Sequence, residues 1–134
     1  MTNLEASVVN ECTLNCRHCA HFMPEYGHPP LPSADFVIPD LQKLLPAIER
    51  IDVFTLLGGE ALLHPELHRM VSFLLKSGKI GRVDIQTTGT LAPPTEIVKL
   101  FPNPRLRFKI ENFGRLSDKI KAFSMPKNLF NIRY

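Results

Sequence analysis

Residues 52–90 read DVFTLLGGEALLHPELHRMVSFLLKSGKIGRVDIQTTGT, and this one stretch holds a strand, a helix and a second strand in order. DVFTLL (52–57) is a short apolar run stopped by a glycine pair, the pattern of a buried strand. HPELHRMVSFLLKSG then sets Leu67, Met70, Val71, Leu74 and Leu75 at helical spacing, with Pro65 to open the helix and Gly78 to close it. GRVDIQTTGT returns to a strand and a turn. A strand that comes back through a helix pairs in parallel, because a hairpin leaves no room for such a crossover.

The same alternation extends in both directions. Upstream, ASVVN (6–10) is a short β-type run, and residues 20–32 (AHFMPEYGHPPLP) are a Pro- and Gly-rich connection. IPDLQKLLPAIERI follows, with Leu41, Leu44, Leu45 and Ile48 at helical spacing, Pro39 placed to start the helix and Pro46 to interrupt it. Downstream, PPTEIVKLF predicts a short helix, RLRFKIENFG an alternating strand, residues 116–124 another helix and NLFNIRY a last strand. Strand starts therefore fall near 6, 53, 82, 106 and 129. The expected fold is α/β: a partial parallel (β/α) barrel of about four β/α units, in one domain over residues 1–134.

Composition excludes several classes. The chain has 134 residues, 44% hydrophobic and 22% charged, the balance of a soluble globular domain. No apolar run approaches the ~20 residues that span a bilayer, and the first residues lack the pattern of a signal peptide, so a cytoplasmic location without a membrane partner is expected. Residues 1–67 hold nine acids and three Lys/Arg, whereas residues 68–134 hold four acids and thirteen Lys/Arg. Without an aromatic-rich basic stretch, this asymmetry reads as solvated faces rather than a nucleic-acid interface.

The cysteines carry the chemistry. ECTLNCRHCAHF (11–22) contains all three in the chain, Cys12, Cys16 and Cys19. An odd number at short spacing in a reducing compartment points to metal binding or catalysis rather than a disulfide framework. One reading is a zinc site closed by His18, His21 or His28, in a non-catalytic metal-binding or protein-interaction module.

A second reading comes from resemblance. CTLNCRHC has the CxxxCxxC form of the radical S-adenosylmethionine (radical SAM) enzymes, LLGGEALLHPEL resembles their GGE motif after the second strand, and TTGT resembles the TNGT turn after the third, with Thr88 in place of Asn. ENFGRLSDKI also looks like the stretch after strand four in a subgroup whose cysteine loop continues as CAHFMPxY. The resemblance implies a 4Fe-4S cluster held by Cys12, Cys16 and Cys19. Three thiolates leave one of four irons with an open position, where S-adenosyl-L-methionine would bind by its methionine amino and carboxylate groups. Reductive cleavage of the cofactor would release a 5′-deoxyadenosyl radical to act on a small polar substrate, and a donor such as flavodoxin or ferredoxin would supply the electron.

By the same resemblance, Gly58 and Gly59 leave backbone groups accessible, Glu60 accepts a hydrogen bond from the methionine ammonium, His18 lies near the adenine, and Thr87, Thr88 and Gly89 line the same end of the sheet. Glu111 stands where related sequences often carry Ser. Complete members have more β/α units, so the chain reads as the N-terminal portion of a barrel, with an open edge available for self-association. Arg107, Lys109 and Glu111 alternate with Leu106, Phe108 and Ile110, which makes one face of strand four charged and offers a substrate-facing wall. His64 and His68 are read as surface residues of a helix opening.

Overall fold

The computed structural model describes residues 2–16, 19, 30–111 and 130–133, the last four and Glu111 by backbone alone. Five strands, β1 (Asn3–Val9), β2 (Ile51–Gly58), β3 (Ile80–Thr87), β4 (Leu106–Glu111) and β5 (Phe130–Arg133), form one sheet in the order β1-β2-β3-β4-β5. Every adjacent pair is parallel. Strand order equal to chain order is the winding of a barrel rather than of a doubly wound sheet, whose order reverses at a switch point. The expected partial parallel (β/α) architecture is therefore present.

The register sorts the side chains into two faces. Leu4, Phe54 and Val83 are aligned, as are Ala6, Leu56, Ile85 and Phe108, and Val83 faces Leu106 in turn. These residues, with Ile110, form the floor of a single hydrophobic core whose roof is Leu41, Leu67, Met70, Val71, Leu74 and Ile97 from the helices. Phe101 lies against Phe108, ring centroids 4.6 Å apart. The intervening row, Glu5, Thr55, Asp84 and Arg107, is polar throughout and belongs to the opposite face of the sheet.

Three helices lie among the described residues: α1 (Ala34–Leu44), α2 (Leu67–Lys76) and α3 (Thr95–Val98). In α2 the predicted stripe is the buried one, Leu67, Met70, Val71, Leu74 and Leu75. Gly78 follows with φ +73°, a left-handed conformation that only glycine adopts cheaply.

The start of α1 departs from expectation. Pro39 lies inside the helix instead of opening it. Ser33 is the cap, its Oγ accepting from Asp35 N–H at 3.1 Å, while Glu66 accepts from Ala34 N–H at 3.0 Å. Those two acceptors satisfy N–H groups that a helix start leaves orphaned, which extends the helix past the bond that Pro39 cannot donate. Pro46 acts as expected, since α1 gives way to a 3-10 turn over Leu45–Ala47. The helix expected over 116–124 lies outside the described residues.

Candidate functional site

The carboxyl ends of β1, β2 and β3 lie side by side, and each runs directly into one of the three sequence motifs. Val9 pairs with Gly58 at the ends of β1 and β2, so the cysteine loop leaves the sheet beside the Gly-Gly-Glu turn. Contact there is close. A Cβ on Gly58 would stand 2.3 Å from Val9 O, and one on Gly59 would stand 2.2 Å from Glu11 O and 2.7 Å from Cys12 Cβ. Both positions need glycine because backbone, not solvent, occupies the space. The amides beyond the strand are engaged, with Gly59 N–H donating to Val9 O at 3.2 Å and Glu60 N–H to Glu11 O at 2.9 Å. The pair thus welds the root of the cysteine loop to β2, where accessible amides were expected.

Glu60 is fully buried, a setting that a carboxylate tolerates only with hydrogen-bond donors around it. Oε1 accepts from Leu62 N–H at 3.1 Å. Oε2 accepts from Thr87 Oγ1 at 2.8 Å, Thr88 N–H at 2.9 Å and Thr88 Oγ1 at 2.7 Å. Gly89, at φ +79°, turns the chain after β3, and its N–H donates to Thr87 Oγ1 at 3.2 Å. Glu60, Thr87, Thr88 and Gly89 therefore meet in one bonded group, reached from two strands.

All three cysteines are free and half-buried. Burial pushes the Cys12 thiol above its ordinary value of 9.0; the charge of Glu60 and the other two cysteines add to this, against the lowering effect of the Leu14 N–H on Sγ. The loop by itself therefore favours the protonated thiol at position 12, so a metal bound there must displace a proton. Among the described residues no three His, Cys, Asp or Glu side chains converge on a single ion. Thiolates sharing a cluster bind separate irons, so three uncrosslinked thiols on one loop fit that donor set without converging.

Other expected residues are placed as follows. His18 and the side chain of Glu111 lie outside what is described. Arg107 and Lys109 are half-buried on the face opposite the helices, in register with Asp84 and Gln86. Arg82 binds Asp84 there through two bonds of 2.7 and 3.0 Å. His64 corrects the sequence reading, because it is 3% exposed rather than a surface residue. Its Nδ1 accepts from Glu66 N–H at 3.0 Å and its Nε2 bonds Pro32 O at 2.7 Å, fixing the turn into α2.

Two residues of the site escaped sequence reasoning, Thr13 and Thr90, whose hydroxyls meet at 2.5 Å. Both lie inside motifs already singled out, CTLNC and TTGT, but a lone threonine has no periodicity or spacing that marks it.

A thiol-bearing loop at the carboxyl edge of a singly wound parallel sheet, beside a buried glutamate, defines a protein of partial β/α-barrel architecture. The chain belongs to the radical SAM superfamily, whose family model matches residues 6–119. Among curated proteins it is similar to molybdenum cofactor biosynthesis protein 1 of Bos taurus, 32% identical over 89 residues that cover 64% of this chain and 14% of the relative. It is similar also to GTP 3',8-cyclase 3 of Mycobacterium bovis and of Mycobacterium tuberculosis, each 32% identical over 84 residues covering 60% of this chain and 21% of the relative. The chain thus spans about a fifth or less of these relatives. Among the described residues no helix is long and apolar enough to cross a membrane.

Proposed function

We propose that residues 1–134 are the cluster-bearing portion of a radical SAM core domain, with Cys12, Cys16 and Cys19 as ligands of a 4Fe-4S cluster and S-adenosyl-L-methionine as the second cofactor. The observation that carries this reading is the junction of the cysteine loop with the Gly-Gly-Glu turn, where Glu60 N–H binds Glu11 O and Cys12 Cβ packs against Gly59. When bound, the two cofactors supply reductive carbon–sulfur cleavage and hence an adenosyl radical, with the electron drawn from a cytoplasmic flavodoxin- or ferredoxin-type donor.

The residues of the chain have separable tasks in this reading. Gly58 and Gly59 let the loop root approach β2. Glu60 offers the methionine ammonium its Oε1, which holds one donor where Oε2 holds three. His18, Thr87, Thr88 and Gly89 border the adenosine. Arg107 and Lys109 are half-buried cations on one face of β4, and such a face suits a small polar substrate with an anionic group. Glu111 follows them on the same strand. The relatives' names add GTP as one anionic molecule to try. The open sheet edge is a place for a second copy to pair.

Anaerobic reconstitution tests the reading. About four iron per chain are expected in the unsubstituted protein, and Cys12→Ala, Cys16→Ala or Cys19→Ala should each abolish the chromophore. Release of 5′-deoxyadenosine on incubation with S-adenosyl-L-methionine and reductant is expected only where further β/α units complete the adenosine site. A colourless protein with stoichiometric zinc would overturn it in favour of a structural metal module.

A further inference from the structure

We infer that Thr13, Thr90 and Thr88 form a hydroxyl clasp that ties the cysteine loop to Glu60 and holds the loop in its ligand-presenting position. Thr13 is the residue immediately after Cys12, and its side chain crosses to the turn after β3. Its Oγ1 lies 2.5 Å from Thr90 Oγ1 and 3.4 Å from Thr88 Oγ1. Thr90 Oγ1 lies 2.8 Å from Thr88 Oγ1, which in turn donates to Glu60 Oε2 at 2.7 Å.

The carboxylate fixes the direction of this chain. A hydroxyl has one proton to give, and a carboxylate only accepts. Thr88 spends its proton on Glu60, so it must accept from Thr90; Thr90 has then spent its own and must accept from Thr13. Protons point one way, from Thr13 through Thr90 and Thr88 to Glu60, and each bond polarises the next. The buried glutamate is thereby felt at the residue beside the first cysteine, although no bond joins them directly.

The clasp also accounts for the Thr at position 88, since its backbone N–H and its hydroxyl both bond Oε2 while Oγ1 still accepts. Thr13 is exposed, so its value lies in positioning the loop rather than in filling the core. This inference rests on the reading of the loop as the cluster site, but it makes a claim about the metal-free protein as well.

The experiment is thiol alkylation by N-ethylmaleimide in the reduced, metal-free protein, resolved by cysteine, together with iron content after reconstitution. Thr13→Val keeps the shape and removes the hydroxyl. Loss of one net hydrogen bond frees the loop more often, so alkylation of Cys12 and Cys16 should rise about three- to tenfold, with the thermal midpoint unchanged and slower iron uptake. Thr13→Ser should restore both rates, a rescue that a merely structural methyl contact would not give. Thr90→Val breaks the next link and should reproduce the Thr13→Val rate, which keeps the test decisive if one variant folds poorly. Wild-type alkylation in both Val variants, or a Ser variant that behaves like Val, overturns the clasp. If the alkylation pattern holds but the unsubstituted protein takes up no iron, the clasp stands and the cluster assignment falls.

Discussion

At the scale of single residues, Glu60 shows how a motif glutamate can serve the fold. Its two oxygens accept from two backbone amides, Leu62 N–H on Oε1 and Thr88 N–H on Oε2. Hydroxyls rotate, but backbone amides do not. Glu60→Gln must therefore turn its NH2 toward one of these N–H groups, whichever way the side-chain amide is flipped. That leaves buried donors facing each other, so Glu60→Gln is expected to destabilise the metal-free chain by about 1–3 kcal/mol, read as a lower urea midpoint with unchanged slope. Glu60→Gln thus perturbs the fold itself, whereas Thr13→Val, at the far end of the clasp, leaves the buried carboxylate intact. Glu60 was marked in the sequence as part of GGE; its burial and its partners Thr87 and Thr88 were not, because those two lie almost thirty positions away along the chain.

At the scale of elements, the starts of α1 and α2 are tied by one acid. Glu66 Oε2 accepts from Ala34 N–H and from Ser33 Oγ at 3.0 and 3.2 Å, and Oε1 accepts from Arg69, which also binds Asp35 at 2.7 Å. The Ala34 N–H, followed by Arg69 and Ser33, holds the Glu66 carboxyl below its ordinary value of 4.5. A carboxyl depressed in the folded state contributes stability that is complete above its unfolded value and disappears as pH falls through the folded one. Stability should therefore decline on acidification below about pH 4.5. Glu66→Gln should be less stable at neutral pH and should lose less across that window, as measured by urea unfolding at a series of pH values. A parallel decline in both proteins would remove Glu66 from the account. From sequence, Pro39 looked like the natural start of α1, since a proline at the first turn costs nothing. Glu66 decides otherwise by capping α1 from the start of the neighbouring helix, thirty-two residues on, which no local rule detects.

At the scale of the whole molecule, one core joins every described helix to the sheet, and its strands differ in how they are held. β2 and β3 are paired on both sides and lie beneath the helices, whereas β1 is the first strand of the sheet order. Amide exchange should be slowest at Phe54, Leu56, Val83 and Ile85 and faster by an order of magnitude or more in the first half of β1, because sub-global opening proceeds from the less supported elements. Mass-resolved hydrogen exchange on the metal-free protein checks this; uniform protection across β1 to β3 would contradict it. The sequence by itself determined the alternation of strands and helices, the buried stripe of α2, the break at Pro46 and the three thiols on one loop, since each is a periodic or punctuating pattern in consecutive residues. Only the tertiary structure decided that Gly58 and Gly59 serve close backbone contact, that His64 is buried and that Glu60 closes a chain of hydroxyls reaching back to Thr13. The physical reason is that hydrogen bonds and close contacts are set by distance in space, and parallel pairing brings the ends of β1, β2 and β3 together from positions far apart in the chain.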